Sequence, residues 1–149
     1  MNFFKNLFKN DKLKPETSSF QAGSLQIAIS KILVRTAKID DEFHILEEKK
    51  ILELLQSYFD LKADDAQSLL EIAIKEEEEA TDLYAYTNVI KKELALNDRK
   101  KIINMMWQII ITDENFDPYE NNLVWRVAEL IGISTRERVQ IKKDFLSKI

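Results

Sequence analysis

The chain has 149 residues, 45% of them hydrophobic, with no cysteine and a formal net charge of −4. That is the size of one domain, long enough to bury most of its apolar surface. The missing cysteines exclude a disulfide framework, a thiolate zinc centre and a cysteine nucleophile and fit a reducing compartment. The acidic balance speaks against a nucleic-acid binder, which needs a basic stripe. Two glycines, two prolines and no Asn-Gly or Asp-Gly pair leave β-hairpins without their usual turn residues, and no apolar run approaches the ~20 residues of a membrane span. The expected fold is therefore all-α: about seven helices in two pseudo-symmetric helix–acidic loop–helix halves.

Residues 1–22 form a separate N-terminal segment. Phe3, Phe4, Leu7 and Phe8 recur at helical spacing among Lys5, Lys9, Lys12 and Lys14. Such a basic amphipathic stretch suits an anionic membrane surface or a partner's groove; packing on the domain as a first helix, or fraying, is the plainer use of a terminus. The stretch lacks an apolar core followed by a small-residue cleavage site, so a cytoplasmic location is expected, with the inner membrane surface as the place of any contact.

Residues 23–149 read as one helical domain. Leu25, Ala28, Ile29, Ile32, Leu33 and Thr36 share a face of a helix from Ser24 to about Lys38. Ile51, Leu54, Leu55 and Tyr58 define a second, Ile45 to Phe59. A third runs from Ala63 to about Glu76, with Ala66, Leu69, Leu70 and Ala73 inward and Asp64 and Asp65 complementing its dipole. Glu76 to Glu79 reads as a solvated helix end rather than a metal patch. Thr81 is the expected N-cap of a fourth helix, Asp82 to Leu94, carrying Leu83, Tyr86, Thr87, Ile90 and Leu94. Asn97 is the expected cap of a fifth, whose Ile102, Ile103, Met105, Met106, Ile109 and Ile110 make it central. Trp107 and the methionines there read as core rather than ligand pocket. A sixth helix runs from Pro118 to Ile131 on Leu123, Val127 and Leu130, and Gly132 ends it in the left-handed conformation. Ser134 caps the last, which carries Val139 and Phe145.

Between these helices one pattern occurs twice, 73 residues apart: Ile39-Asp40-Asp41-Glu42-Phe43-His44-Ile45-Leu46-Glu47 and Thr112-Asp113-Glu114-Asn115-Phe116-Asp117-Pro118-Tyr119-Glu120. The flanks repeat too, so Leu33–Phe59 and Met106–Gly132 superpose without a gap, as copies around a pseudo-two-fold axis would. Part of each loop is simply a good helix start. Asp117, Pro118 and Glu120 have the order N-cap, N1 and N3 of a capping box, and His44 to Glu47 has the same form. Capping leaves Asp40 and Asp113 unexplained, because each follows the negative end of a helix. In the second loop Asp113, Asn115 and Asp117 alternate, as oxygen ligands do at the start of a calcium loop. The EF-hand pattern then stops: its glycine position is Pro118 and its bidentate glutamate position is Val124. The first loop offers Asp40, Glu42 and Glu47, with the imidazole of His44 at the third oxygen position. From the residues alone, helix capping and a small divalent-metal site both stand.

These two loops, their spacing and the segments between them (Phe59-Asp60-Leu61, Glu78-Glu79-Ala80-Thr81-Asp82-Leu83-Tyr84 and Trp107) resemble the tellurite-resistance TerB family over about Leu25 to Phe145. Members carry an Ala-Asp-Gly-x-Phe-Asp-x-x-Glu loop twice, each between two helices. Here Asp41 and Glu114 stand at the family's glycine, and His44 at the aspartate of the first loop. The resemblance implies an all-helical fold of two packed halves and an acidic site at Asp40, Glu47, Asp113 and Glu120 holding a divalent metal. It further implies a stress-response role, in resistance to tellurite and other chemical insults, in complexes at the inner membrane surface and without catalysis of its own. Calcium, magnesium and manganese are the candidate ions, with Asn115 and Asp117 as further ligands. The expected function is thus a non-enzymatic metal-binding module working through partner proteins; the alternative is a metal-free interaction adaptor whose loops only cap helices. An enzyme would need its facing carboxylates held at different pKa values, and the sequence offers neither a nucleophile nor a phosphate-binding glycine loop.

Overall fold

The computed structural model of the chain describes residues 20–37, 45–79, 82–112 and 118–149, the side chains of 78, 79 and 119 excepted. Among them are seven α-helices and no strand: α1 Ser24–Ala37, α2 Ile45–Phe59, α3 Ala63–Glu79, α4 Leu83–Glu93, α5 Leu96–Ile110, α6 Pro118–Leu130 and α7 Thr135–Ser147. Phe3, Phe4, Leu7 and Phe8 lie outside the described residues, as do Asp40, Asp113, Asn115 and Asp117. None of the described helices is long and apolar enough to cross a membrane.

Two helices hold the rest together. α1 buries Ala28, Ile29, Ile32, Leu33, Val34 and Ala37 and packs on α2, α3, α4 and α5. α5 buries Ile102, Ile103, Met105, Met106, Trp107, Ile109 and Ile110 and packs on α1, α2, α6 and α7. Both are apolar round most of their circumference, the mark of a helix enclosed by others. Each buried aliphatic side chain contributes roughly 1.5–3 kcal/mol relative to exposure. α1 and α5 are also the helices that precede the two acidic loops, and they touch each other. The centrality expected of α5 is therefore real, and α1 shares it. Trp107 is core, as its neighbours in sequence implied.

Helix ends correct several expectations. α4 is capped by Asp82, whose Oδ1 accepts from the Tyr84 N–H at 2.9 Å; Asp is the stronger N-cap type, and Thr81 lies outside the described residues. Asn97 caps nothing. α5 starts at Leu96 behind Ala95, which makes no side-chain cap bond, because only Leu94 and Ala95 separate it from α4. The α4–α5 joint is tied instead by Arg99, whose Nε donates to the Leu94 carbonyl at 3.0 Å while its Nη1 donates to that of Ile131 at 2.7 Å. Ser134 caps α7 as expected, in a full capping box with Glu137. On that helix Val139 is more than a third exposed, and Ile141 and Phe145 do the packing.

α2 and α6 end in the same way. The Leu61 N–H donates to the Gln56 carbonyl at 3.0 Å, and the Ile133 N–H to that of Ala128 at 2.8 Å. These are the six-to-one bonds of a Schellman motif, which needs a left-handed residue just before the donor. Gly132 supplies it at φ 80° and Asp60 at φ 55°. The buried Leu61 and Ile133 then close each cap with an apolar contact.

The acidic run extends α3 to Glu79 rather than ending it at Glu76, and it is only partly solvated. Glu76 pairs with Lys31 at 3.6 Å. The Glu77 side chain, 12% exposed, pairs with Arg35 at 3.7 Å and accepts a hydrogen bond from the Tyr86 hydroxyl at 3.0 Å. Burial first, and the charge of Glu77 second, push the Tyr86 hydroxyl up to about 12. This network joins α1, α3 and α4 at one corner.

Candidate metal centre

Each acidic loop delivers its closing glutamate to the third residue of a helix. α2 begins at Ile45 and α6 at Pro118, so Glu47 and Glu120 both occupy N3. A carboxylate at N3 complements the helix dipole and can reach back to the cap. Glu137 of α7 shows what that role looks like when it is complete. Its Oε1 accepts from the Ser134 N–H at 3.0 Å, its own N–H donates to the Ser134 Oγ at 3.1 Å, and Lys100 pairs with it at 3.4 Å. The Ser134 backbone N–H first, then the Ser134 hydroxyl and Lys100, hold its carboxyl below the ordinary glutamate value. All of this happens at the surface.

Glu47 and Glu120 are different. Each is only 2% exposed, and each is engaged by its surroundings. Taking a carboxylate out of water costs several kcal/mol unless hydrogen bonds or an opposite charge offset it. Backbone amides, a cationic side chain or a divalent cation can each supply that compensation for a carboxylate. Carboxylate oxygens are the donors a hard divalent ion takes, so each glutamate taken singly has fitting chemistry. Among the described residues no group of three or more Asp, Glu, His or Cys side chains comes together, and Asp40, Asp113, Asn115 and Asp117 lie outside them.

The second loop leaves α5 through Thr112, whose hydroxyl and N–H both donate to the Ile109 carbonyl, at 2.7 and 3.1 Å. One feature near this site is missing from the sequence reading. The ammonium of Lys142, on α7, lies 4.9 Å from the centre of the Trp107 ring and donates to the Asn121 Oδ1 at 3.3 Å. It thus links the core helix before the second loop to the first turn of the helix after it. Its position follows from α7 folding back on α5 and α6, which no local pattern announces.

The fold and these paired helix starts define an all-helical domain built on a duplicated helix–acidic loop–helix unit, with a buried glutamate closing each loop. Residues 26–143 match the family model described as tellurite resistance protein TerB, and the chain belongs to that family. No curated relative and no solved structure matches it.

Proposed function

We propose that the chain is a non-enzymatic, divalent-metal-binding module of the TerB family. It works in the cytoplasm in a bacterial response to tellurite or chemical damage and acts through partner proteins. The ligands assigned are Asp40 and Glu47 from the first loop and Asp113 and Glu120 from the second, with Asn115 and Asp117 adding oxygens to the second. Calcium, magnesium or manganese suits such a set, because carboxylate and amide oxygens are hard donors. The observation that carries this reading is the burial of Glu47 and Glu120 at equivalent positions, where the surface cap Glu137 needs none. Partner binding is the family-level part of this reading and rests on the match to the TerB model.

The metal-free adaptor keeps one observation of its own: the box at Ser134 and Glu137 shows that this chain builds a complete cap without a ligand. Glu47→Gln and Glu120→Gln separate the two readings, since glutamine also serves at N3 of a capping box. Backbone amide shifts are followed while calcium, magnesium or manganese is added. The metal reading expects residues 40–47 and 113–120 to move in the parent chain and not in the double variant, with the fold unchanged. Loops that stay still in all three titrations of the parent leave the adaptor.

A further inference from the structure

Between α1 and α4 lies an open groove of about 230 Å³, lined by Ser24, Ile27, Ala28, Lys31, Glu76, Ala85, Tyr86 and Val89. Ile27 and Val89 are apolar side chains packed against the core yet left partly uncovered. The groove is smaller than the roughly 300–1,000 Å³ typical of small-molecule sites, and its charged groups, Lys31 and Glu76, already pair with each other. It suits one or two bulky side chains from an amphipathic segment, the helix-in-groove mode of recognition.

We propose that this groove is the docking site, within the same molecule, of the chain's own N-terminal segment, with Phe3, Phe4, Leu7 and Phe8 covering Ile27 and Val89. Three observations choose that occupant. The first is proximity: the described chain begins at Phe20, already buried against the core, and four residues later Ser24 lines the groove. The second is reach. Positions 9–19 can extend over roughly 36 Å, against roughly 21 Å for the whole length of α1, so Phe3 to Phe8 can lie anywhere along the groove. A tether this short also holds the segment at high effective concentration, which a separate partner lacks.

The third is charge. The rim at Glu76 belongs to the last turn of α3, which has four consecutive glutamates and no basic residue, at the negative end of a helix dipole. Glu76 keeps a 44% exposed side chain although it pairs with Lys31. The segment brings Lys5, Lys9, Lys12 and Lys14 against Asp11 and Glu16, an excess of positive charge beside an apolar face. Aromatic side chains on the floor and lysines toward the α3 end match the groove in both respects.

The absence of native cysteine gives a clean test on the full chain. Asn6→Cys is labelled with a nitroxide, and amide signals are recorded on the isotope-labelled protein. The expected result is loss of most of the signal at Ile27, Ala28, Ala85 and Val89, with Lys142 to Phe145 on α7 keeping theirs. Phe3→Ser with Phe4→Ser in the labelled chain should restore the lost signals. Weak broadening spread over the whole surface would overturn the proposal. So would broadening that reappears when isotope-labelled chain without nitroxide is mixed with nitroxide-labelled chain, because the occupant is then a second copy. Binding of the segment to phosphatidylglycerol vesicles, with no broadening at the groove in their absence, would assign it to the membrane instead and equally overturn docking in the groove.

Discussion

The two halves of the molecule share six buried positions around their loops but fill them with opposite weightings. In the first half the helix before the loop places Leu33, Val34 and Ala37 in the core, and the helix after it Ile51, Leu54 and Leu55. The equivalent positions of the second half hold Met106, Trp107 and Ile110, then Val124, Val127 and Ala128. The bulk thus sits after the loop in one half and before it in the other. Close packing requires total volume to be conserved between facing elements, not any one side chain. A large α5 against a slim α6 and a modest α1 against a bulky α2 meet that requirement equally. Against this exchange of volume, Glu47 and Glu120 remain the same residue, equally buried. A carboxylate kept in both places while its neighbours change size answers a chemical demand rather than a packing one.

The largest expected effect tests the volume exchange directly. Trp107→Ala should cost about 3–5 kcal/mol, because it empties the biggest fully buried site and leaves a cavity the helices cannot close. Val34→Ala, at the equivalent position, should cost about 2 kcal/mol. Denaturant unfolding of both variants measures the difference. Equal losses would show that the two halves share the core evenly and that the comparison fails.

The helix ends sharpen the same comparison on a smaller scale. At Gly132 a Cβ would stand 2.8 Å from the Arg99 Nη1, the atom that holds the Ile131 carbonyl, and φ is 80°. Gly132→Ala should therefore destabilise the protein by about 1–3 kcal/mol. Asp60 does the same left-handed job without glycine, since aspartate tolerates that region better than most residues. Asp60→Gly should leave stability within about 1 kcal/mol of the parent. Thermal unfolding of the two variants side by side gives the answer; a harmless Gly132→Ala would mean that Arg99 moves aside freely.

The sequence made the helices readable because each carries its apolar face at the 3.6 period, and Gly132 and Ser134 announced their ends by chemistry local to them. What escaped was settled at a distance. Glu77 looked solvated in a run of four glutamates, yet Arg35 from α1 and Tyr86 from α4 draw it in. Asn97 has the right chemistry for a cap, and the two-residue joint from α4 starts the helix before it can act. Asp60 gave no sign of a left-handed residue, because aspartate also suits ordinary turns. For the candidate site, the repeat located Glu47 and Glu120 and their N3 register. Their burial was not legible, since the surface cap at Glu137 has the same local pattern. Asp40, Asp113, Asn115 and Asp117 stand outside the described residues, and their part rests on the repeat and the family.

Glu137 supplies the smallest prediction and the control for the other two glutamates. Its folded carboxyl titrates below the ordinary value of 4.5, so it adds stability that is present above that pH and lost as the pH falls through the folded value. Glu137→Gln keeps a side chain able to cap but removes the charge that Lys100 pairs with. The gap between parent and variant should be small at pH 7 and should close once the pH drops well below 4.5, as followed by thermal unfolding across an acid series. High salt should also shrink the gap at pH 7, because an exposed charge is screened. Glu47→Gln and Glu120→Gln, buried as the parent residues are, should respond far less to salt. If all three variants lose their effect together as salt rises, the buried pair behaves as a pair of surface caps and the distinction drawn between them and Glu137 falls.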